Sequence, residues 1–161
     1  MNHIEKTTQI PSTNTPESVL EAALDYCKRG WSVVPIPYKT KAPIITGWQK
    51  LRLTEAEISK RFKGKSNIGV LVGEPSGGLV DIDLDCDEAC ELADEFLPPT
   101  CAEFGHGKQP RSHRLYQVVG SVEYKAYTFK TGKRKGKKFI ERRSGTGKQT
   151  VFPPSVHPPG N

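Results

Sequence analysis

Three aspartates alternate with apolar residues along one short stretch of the chain. Asp81, Asp83 and Asp85 occupy every second position of Leu79–Asp85, and such positions share one face of a strand. Neighbouring members would lie about 6.6 Å apart along the strand, and carboxylates that approach to ~4 Å repel by roughly 4 kcal/mol at an effective dielectric of about 20. Because aspartate is also a poor strand former, the pattern indicates a divalent cation. Oxygen ligands favour Mg²⁺ or Mn²⁺ over Zn²⁺; the alternative is a solvent-facing edge strand.

A second polar group stands at the start of a predicted strand. Arg111, Ser112 and His113 offer a guanidinium, a hydroxyl and an imidazole, which together could hold a triphosphate. We expect Ser112 and His113 to point the same way. The alternative for His113 is a structural role in the core.

A third polar group lies near the C-terminal end. Glu141 is a carboxylate on an apolar stretch and is a candidate third metal ligand. Its alternative is a surface ion pair with Arg142 and Arg143. Further on, two consecutive prolines fix the backbone that presents Ser155 and His157.

Charge is concentrated in two segments. Eight of the 18 acids lie between Asp81 and Glu95, and ten of the 24 bases lie between Lys125 and Lys148. The segments are either two solvated faces that attract each other or a cation-binding cluster beside a phosphate-binding surface. The formal net charge of +6 favours an anionic partner.

Length and composition favour one globular domain. The chain has 161 residues, which suits one domain and is too short for two full enzyme domains. No stretch approaches the roughly 20 apolar residues of a membrane span, and the N-terminus lacks the apolar core of a secretory signal. The four cysteines are therefore expected to be free thiols in a reducing, cytoplasmic compartment, and no membrane partner is expected.

The elements expected to position these residues mix helices with many strands. Residues 1–14 are predicted to be a disordered tail, and 15–161 one domain. Thr15 is expected to cap a helix that ends at Lys28, and a capping box at Thr54 opens a second helix. The strands at 67–72 and 79–85 are expected to form a hairpin. The other predicted elements are a helix over 87–96, strands over 31–36, 113–119, 127–130, 138–142 and 149–152, and a lysine-rich hairpin tip over 131–137. This order predicts an α+β fold with a largely antiparallel sheet.

Taken together, these groups resemble the bifunctional primase–polymerase domain of the archaeo-eukaryotic primase superfamily. The resemblance covers about residues 16 to 161. It lies in the order of the aspartate strand, the Ser112–His113 pair and the strand with a single acid. The other matching stretches are 30–36, 41–43 with Trp48, 67–70 leading to Gly73, the 76–78 turn and the run 149–158.

The resemblance implies a catalytic half shaped like an RNA-recognition fold, packed with an N-terminal α/β unit. It implies transfer of a dNTP or NTP to a 3′-hydroxyl by two Mg²⁺ or Mn²⁺ ions. Asp83, Asp85 and Glu141 match the metal ligands, and Asp81 is a reserve ligand. Ser112 and His113 match the nucleotide-phosphate contacts, with His113 also counted as catalytic. Weaker nucleotide contacts are Arg111, Lys148, Ser155 and His157.

The resemblance also implies macromolecular partners. They are a single-stranded DNA template with its primer and a helicase domain or protein, in the replication of a phage, a plasmid or another mobile element. Relatives usually continue into a further strand, so the chain is expected to be truncated at its C-terminal end. The expected nucleic-acid contacts are Lys133, Arg134, Lys135, Lys137, Lys138, Arg142 and Arg143.

Other functions were weighed against this one. A zinc site would need Cys86, Cys90, Cys101 and His106, whose spacing is irregular, so zinc is not expected. A phosphate loop of the Walker type is excluded because Gln149 follows Lys148. A metal-dependent nuclease would use similar acids. A non-catalytic module would bind nucleic acid through the basic segment alone and would have no use for three aspartates.

Overall fold

The described part of the chain forms two antiparallel sheets with three α-helices packed against them. The computed structural model describes residues 18–107 and 109–158; the predicted tail over 1–14 and Thr15 itself lie outside them. The first helix is capped by Ser18 and not, as predicted, by Thr15. The helices are α1 (Val19–Lys28), α2 (Glu55–Arg61) and α3 (Asp87–Phe96). The strands are β1 (Val33–Pro37), β2 (Ser66–Leu71), β3 (Leu79–Leu84), β4 (Glu103–His106), β5 (Gln109–Gln117), β6 (Lys125–Thr128), β7 (Lys138–Arg143) and β8 (Gln149–Phe152).

The first two helices begin with capping boxes. The Ser18 hydroxyl accepts a hydrogen bond from the Glu21 amide at 3.2 Å, and the Glu21 carboxylate accepts one from the Ser18 amide at 3.0 Å. Thr54 and Glu57 form the same reciprocal pair at the start of α2, which confirms the predicted box. Both pairs satisfy amides that have no partner within their helix.

The strands form two separate sheets. The first is three-stranded, in the order β1-β2-β8, and the second is five-stranded, in the order β4-β5-β3-β7-β6. All strand pairs are antiparallel. The mixed α/β content and the antiparallel pairing agree with the α+β prediction. No helix in the described part of the chain is long and apolar enough to cross a membrane.

The predicted hairpin of the strands now called β2 and β3 is wrong. β2 pairs with β1 and β8, whereas β3 pairs with β5 and β7; a single bridge between Gly73 and Leu79 connects the two segments. Gly73 has a φ of 81°, and a Cβ added there would lie 2.5 Å from the Gly145 amide nitrogen. The chain passes from one sheet to the other at Gly73. Because the backbone of Gly145 lies so close, only a residue without a side chain fits at this position.

The buried apolar residues form two clusters, of which the first also includes Leu79 and Leu115 of the five-stranded sheet. The three-stranded sheet packs against α1 and α2 through a cluster that includes Ala23, Ile58 and Val70. The outer face of β3 packs against α3 through a second cluster that includes Ile82 and Ala93. The opposite face of β3 carries the polar side chains described next, between the two sheets.

Candidate active site

Three carboxylates meet at the end of β3. Asp83 lies opposite Glu141 in the β3–β7 register, and Asp85 follows the last residue of β3. Each offers an oxygen, and the three oxygens lie within 4.8 Å of one another. Asp83 and Glu141 are buried, whereas Asp85 is exposed. All three line a cavity of about 500 Å³, so a ligand can reach them from solvent.

Cationic side chains of the protein hold this group together. Arg143 forms ion pairs with Asp83 and, at 2.9 Å, with Glu141. The Lys138 ammonium lies 2.9 Å from Glu141, and the Tyr124 hydroxyl donates to Glu141 at 2.6 Å. The positive charges compensate the repulsion that buried carboxylates would otherwise experience.

The two buried carboxylates have pKa values shifted in opposite directions. Burial raises the pKa of Asp83 to about 6, although Arg143 and His113 act against it. Burial also disfavours ionised Glu141, but the hydrogen bonds from Tyr124 and Lys138 and the charge of Arg143 outweigh it and hold the pKa of Glu141 at about 2. Glu141 is therefore ionised at any physiological pH, whereas the charge on Asp83 depends on its neighbours.

Asp81 lies behind this group and does not join it. Its side chain is fully buried; it accepts a hydrogen bond from the Thr150 hydroxyl at 2.6 Å and contacts Nδ1 of His113 at 3.0 Å. Among the described residues, the acids that gather are Asp83, Asp85 and Glu141. The expectation of three aspartates in one accessible row is therefore corrected to two, with Asp81 fixing a histidine instead.

His113 lies beside the carboxylates with a fixed ring. It is opposite Asp83 in the β3–β5 register, and its ring stacks on Phe104 with centroids 4.7 Å apart. Burial disfavours the charged imidazole, but the Asp81 hydrogen bond and the charges of Asp81 and Asp83 outweigh it and raise the pKa of His113 above its ordinary value. Engagement of Nδ1 leaves Nε2 as the ring nitrogen for a ligand.

Ser112 does not share the orientation of His113, and the expectation that the two point the same way is wrong. They are consecutive on β5, and consecutive side chains of a strand lie on opposite faces. The Ser112 hydroxyl is buried without a hydrogen-bond partner among the described residues. Both residues nevertheless line the cavity that contains the carboxylates.

Basic side chains line the cavity together with these carboxylates. Lys41, Lys148, His106 and His157 all line it. We call His106 and His157 the histidine pair; their ring centroids are 4.9 Å apart. Burial, and then the charge of Lys41, lower the pKa of both rings. Nδ1 of His157 is buried without a hydrogen-bond partner in the described structure, so a donor or acceptor is available there for a ligand.

A second cavity continues from the first. It has a volume of about 390 Å³ and is lined by backbone around Gly105 and by apolar residues that include Phe152. His113 and the histidine pair line both cavities. These three imidazoles therefore lie where the two cavities adjoin.

Several predicted site residues lie elsewhere. Arg111 forms ion pairs with Asp94 and Glu103 and does not line the carboxylate cavity. The Ser155 hydroxyl accepts a hydrogen bond from the Ile68 amide at 2.8 Å, which is a structural contact. Arg142 donates to a backbone carbonyl at 3.1 Å.

The predicted basic hairpin tip exists, and two of the bases expected to contact nucleic acid line the carboxylate cavity. Residues 129–137 connect β6 and β7; we call this segment the basic hairpin. Arg134 forms an ion pair with Glu88. The lysines 133, 135 and 137 are exposed and have no ion pair among the described residues; we call them the hairpin lysines. Lys138 and Arg143, by contrast, contact Glu141 inside the cavity.

Four contributors are not predicted from the sequence as parts of this site, and His106 is considered there only as a zinc ligand. Lys41 and His106 line the cavity, Tyr124 binds Glu141 and Thr150 binds Asp81. Of these four, only Lys41 belongs to a sequence stretch, residues 41–43, that resembles the primase–polymerase family. The contacts of the other three depend on pairings between distant strands.

Two comparisons with known proteins concern the family of the chain. No curated protein matches it. The family model described as "Bifunctional DNA primase/polymerase, N-terminal" matches residues 23–161, a span that contains every residue of the site described above. The chain therefore belongs to the family of bifunctional DNA primase/polymerase N-terminal domains.

Proposed function

We propose that the chain is a template-directed nucleotidyltransferase, a DNA primase/polymerase that adds dNTPs or NTPs to a 3′-hydroxyl. The proposal rests on one observation: carboxylates and basic side chains line the same cavity. Asp83, Asp85 and Glu141 gather in it, and Lys41 with the histidine pair lines the same space. Carboxylates suit divalent cations, and the basic groups suit the phosphates of a nucleotide.

The donor set fits Mg²⁺ or Mn²⁺ ions. Asp83, Asp85 and Glu141 provide oxygen atoms only, which is the ligand type of hard cations. They are the residues that would hold two such ions, while Asp81 is enclosed by Thr150 and His113. When bound, the ions supply Lewis-acid stabilisation of charge on phosphate oxygens.

The protein's own residues bind and orient the nucleotide in this proposal. Lys41, Lys148 and the histidine pair contact the triphosphate. His113, held through Nδ1 by Asp81, presents Nε2 to a phosphate oxygen in a fixed direction. Lys138 and Arg143 neutralise Glu141 and Asp83 until the cations and the substrate arrive.

We also propose how the fold serves this activity. The five-stranded sheet with α3 is the primase-like catalytic core, because its central strand β3 carries Asp83 between His113 on β5 and Glu141 on β7. The three-stranded sheet contributes Thr150 and, after β8, His157. The hairpin lysines contact the phosphates of a single-stranded DNA template, and a helicase in the replication of a mobile element is the proposed partner.

The test is template-dependent incorporation of labelled nucleotides in Mg²⁺ or Mn²⁺. Asp83→Asn and Glu141→Gln keep the shape of the side chains and remove a charge. We expect each to lower incorporation by roughly 100-fold or more. Glu55→Gln, an exposed acid at the start of α2, is the matched control and should not change the rate. A folded wild-type protein without incorporation would contradict the proposal, and cleavage of the template would favour a nuclease.

A further inference from the structure

The outer face of the five-stranded sheet is only partly covered. Strands lie about 4.8 Å apart, so five of them span roughly 20 Å, whereas one helix covers about 10 Å. α3 packs over β3 and β5 and is the one described helix on this face. The part of the face beyond β3, formed by β7 and β6, therefore lies beside α3 without a helix above it.

An apolar groove follows this uncovered part. It has a volume of about 290 Å³. Its floor includes Leu84 and Ile140, which are opposite each other in the β3–β7 register, and one end is formed by Phe129 and Phe139. Its lining is almost entirely apolar, which distinguishes it from the polar cavity on the other face of the sheet.

Helix α3 borders the groove with exposed apolar side chains. Leu92 and Phe96 both line the groove, and they are one helical turn apart. Leu92 is 47% exposed and Phe96 is 76% exposed. Single exposed apolar residues are ordinary on a surface, but two of them beside an apolar groove form a continuous patch, which is typical of an interaction site.

The two walls of the groove have opposite charges. α3 contains five acids and no base, and the basic hairpin contains five bases and no acid. Glu88 and Arg134 connect the walls through an ion pair. Asp94 forms ion pairs with Arg111 and Arg114, and Asp87 accepts a hydrogen bond from Gln109. Glu91 and Glu95 of α3 and the hairpin lysines have no ion pair among the described residues, so they are left for other partners.

We propose that this groove is a self-association surface that receives helix α3 of a second copy of the chain. An isologous two-fold contact brings the same surface of both copies together, so each acidic α3 meets the basic hairpin of the other copy. Phe96 of each copy then enters the groove of the other. A surface with one sign of charge would repel its own copy; this one carries both signs on either side of an apolar strip. The proposal does not depend on the proposed catalysis, because the carboxylate cavity is on the opposite face of the sheet; the hairpin lysines are the one group that the proposed template and the second copy would share.

The first test measures the mass of the chain by sedimentation equilibrium over a range of concentrations, without nucleic acid. We expect a monomer–dimer equilibrium in wild type and at least a roughly tenfold weaker association for Phe96→Glu. Val119→Glu is the matched control, because Val119 is fully exposed and does not line the groove; it should dimerise like wild type. Circular dichroism checks that both variants are folded. A wild type that is monomeric at every concentration, or equal association of the two variants, would overturn the proposal.

The second test reverses the charges of each wall separately. One variant carries Glu91→Lys and Glu95→Lys, and the other carries glutamate at the three hairpin lysines. Each is expected to be monomeric alone, because the charges left free of internal ion pairs then have predominantly the same sign on both of its walls. Mixing the two variants should produce a dimer, since every acidic wall then meets a basic one. A mixture that stays monomeric would rule out the pairing of α3 with the hairpin.

Discussion

Replacing Arg143 by methionine tests what holds the carboxylates together in the absence of a divalent cation. The guanidinium of Arg143 contacts Asp83 and, at 2.9 Å, Glu141, and its side chain is 23% exposed. Methionine is similarly long and unbranched but carries no charge. The variant therefore leaves Asp83 and Glu141 facing each other without their shared cation.

The expected loss of stability is large. Removing one partner of a buried ion pair costs about 3–5 kcal/mol, because the other charge stays buried without compensation. In a chain of this size, each kcal/mol shifts the melting temperature by roughly 2–4 °C. We therefore expect Arg143→Met to melt roughly 6–20 °C below wild type in EDTA.

The assay compares melting temperatures in EDTA and in Mn²⁺. If the carboxylates bind the cation, Mn²⁺ replaces the missing charge and raises the melting temperature of Arg143→Met more than that of wild type. Arg142→Met is the matched control, since Arg142 is the preceding residue on β7, lies on the opposite face and donates its Nε to one backbone carbonyl. Its replacement should cost about 1 kcal/mol.

Two results would refute this reasoning. Equal melting temperatures of Arg143→Met and Arg142→Met in EDTA would mean that Arg143 does not hold the cluster. Equal increases with Mn²⁺ in all three proteins would mean that the cation does not bind among Asp83, Asp85 and Glu141. The first result concerns the structure of the cluster and the second concerns its proposed ligand.

Three further predictions concern the surroundings of the site. Replacing the hairpin lysines by glutamine should lower the slope of log affinity for single-stranded DNA against log salt by about 2, at roughly 0.7 per phosphate contact; an unchanged slope would place the template elsewhere. Thr150→Val should lower the free energy of unfolding in urea by about 1–3 kcal/mol, because Asp81 loses a buried hydrogen bond, whereas Thr150→Ser should retain most of it. The pKa values of the histidine pair are lowered in the folded chain, so the unfolded chain takes up protons first and stability falls as pH drops below about 6.5. Glutamine at both histidines should reduce that fall, as measured by urea unfolding at several pH values.

Local patterns in the sequence predicted most of the elements. The alternation of apolar and acidic residues predicted the strand that became β3, and the Thr54–Glu57 box predicted the start of α2. Pairing between strands was not predictable in the same way. β2 and β3 are neighbours in sequence but belong to different sheets, because pairing is decided by distant strands and by the close approach of Gly73 to Gly145.

Site residues could be predicted where the pattern of a single strand indicates them, whereas contacts between strands could not. The sequence indicates Asp83 and Glu141 as ligands and an ion pair of Glu141 with its arginine neighbours as the alternative. It does not indicate their register or the pairing of Arg143 with Asp83. Arg143 was assigned to nucleic acid because of the basic run. Its position two residues after Glu141 already placed both side chains on one face of a strand, and this signal could have located it beside the carboxylates.

The position of β8 has a consequence for how the protein is made. β2 pairs with β1 on one side and with β8 on the other, and β8 with the residues after it supplies Thr150 and His157. Translation delivers these residues after every other part of the site. Until then the nascent chain has an open, apolar β2 edge, which is a surface prone to aggregation. We expect the domain to complete its fold only when synthesis has passed His157, and slowly, because its pairings are distant in sequence.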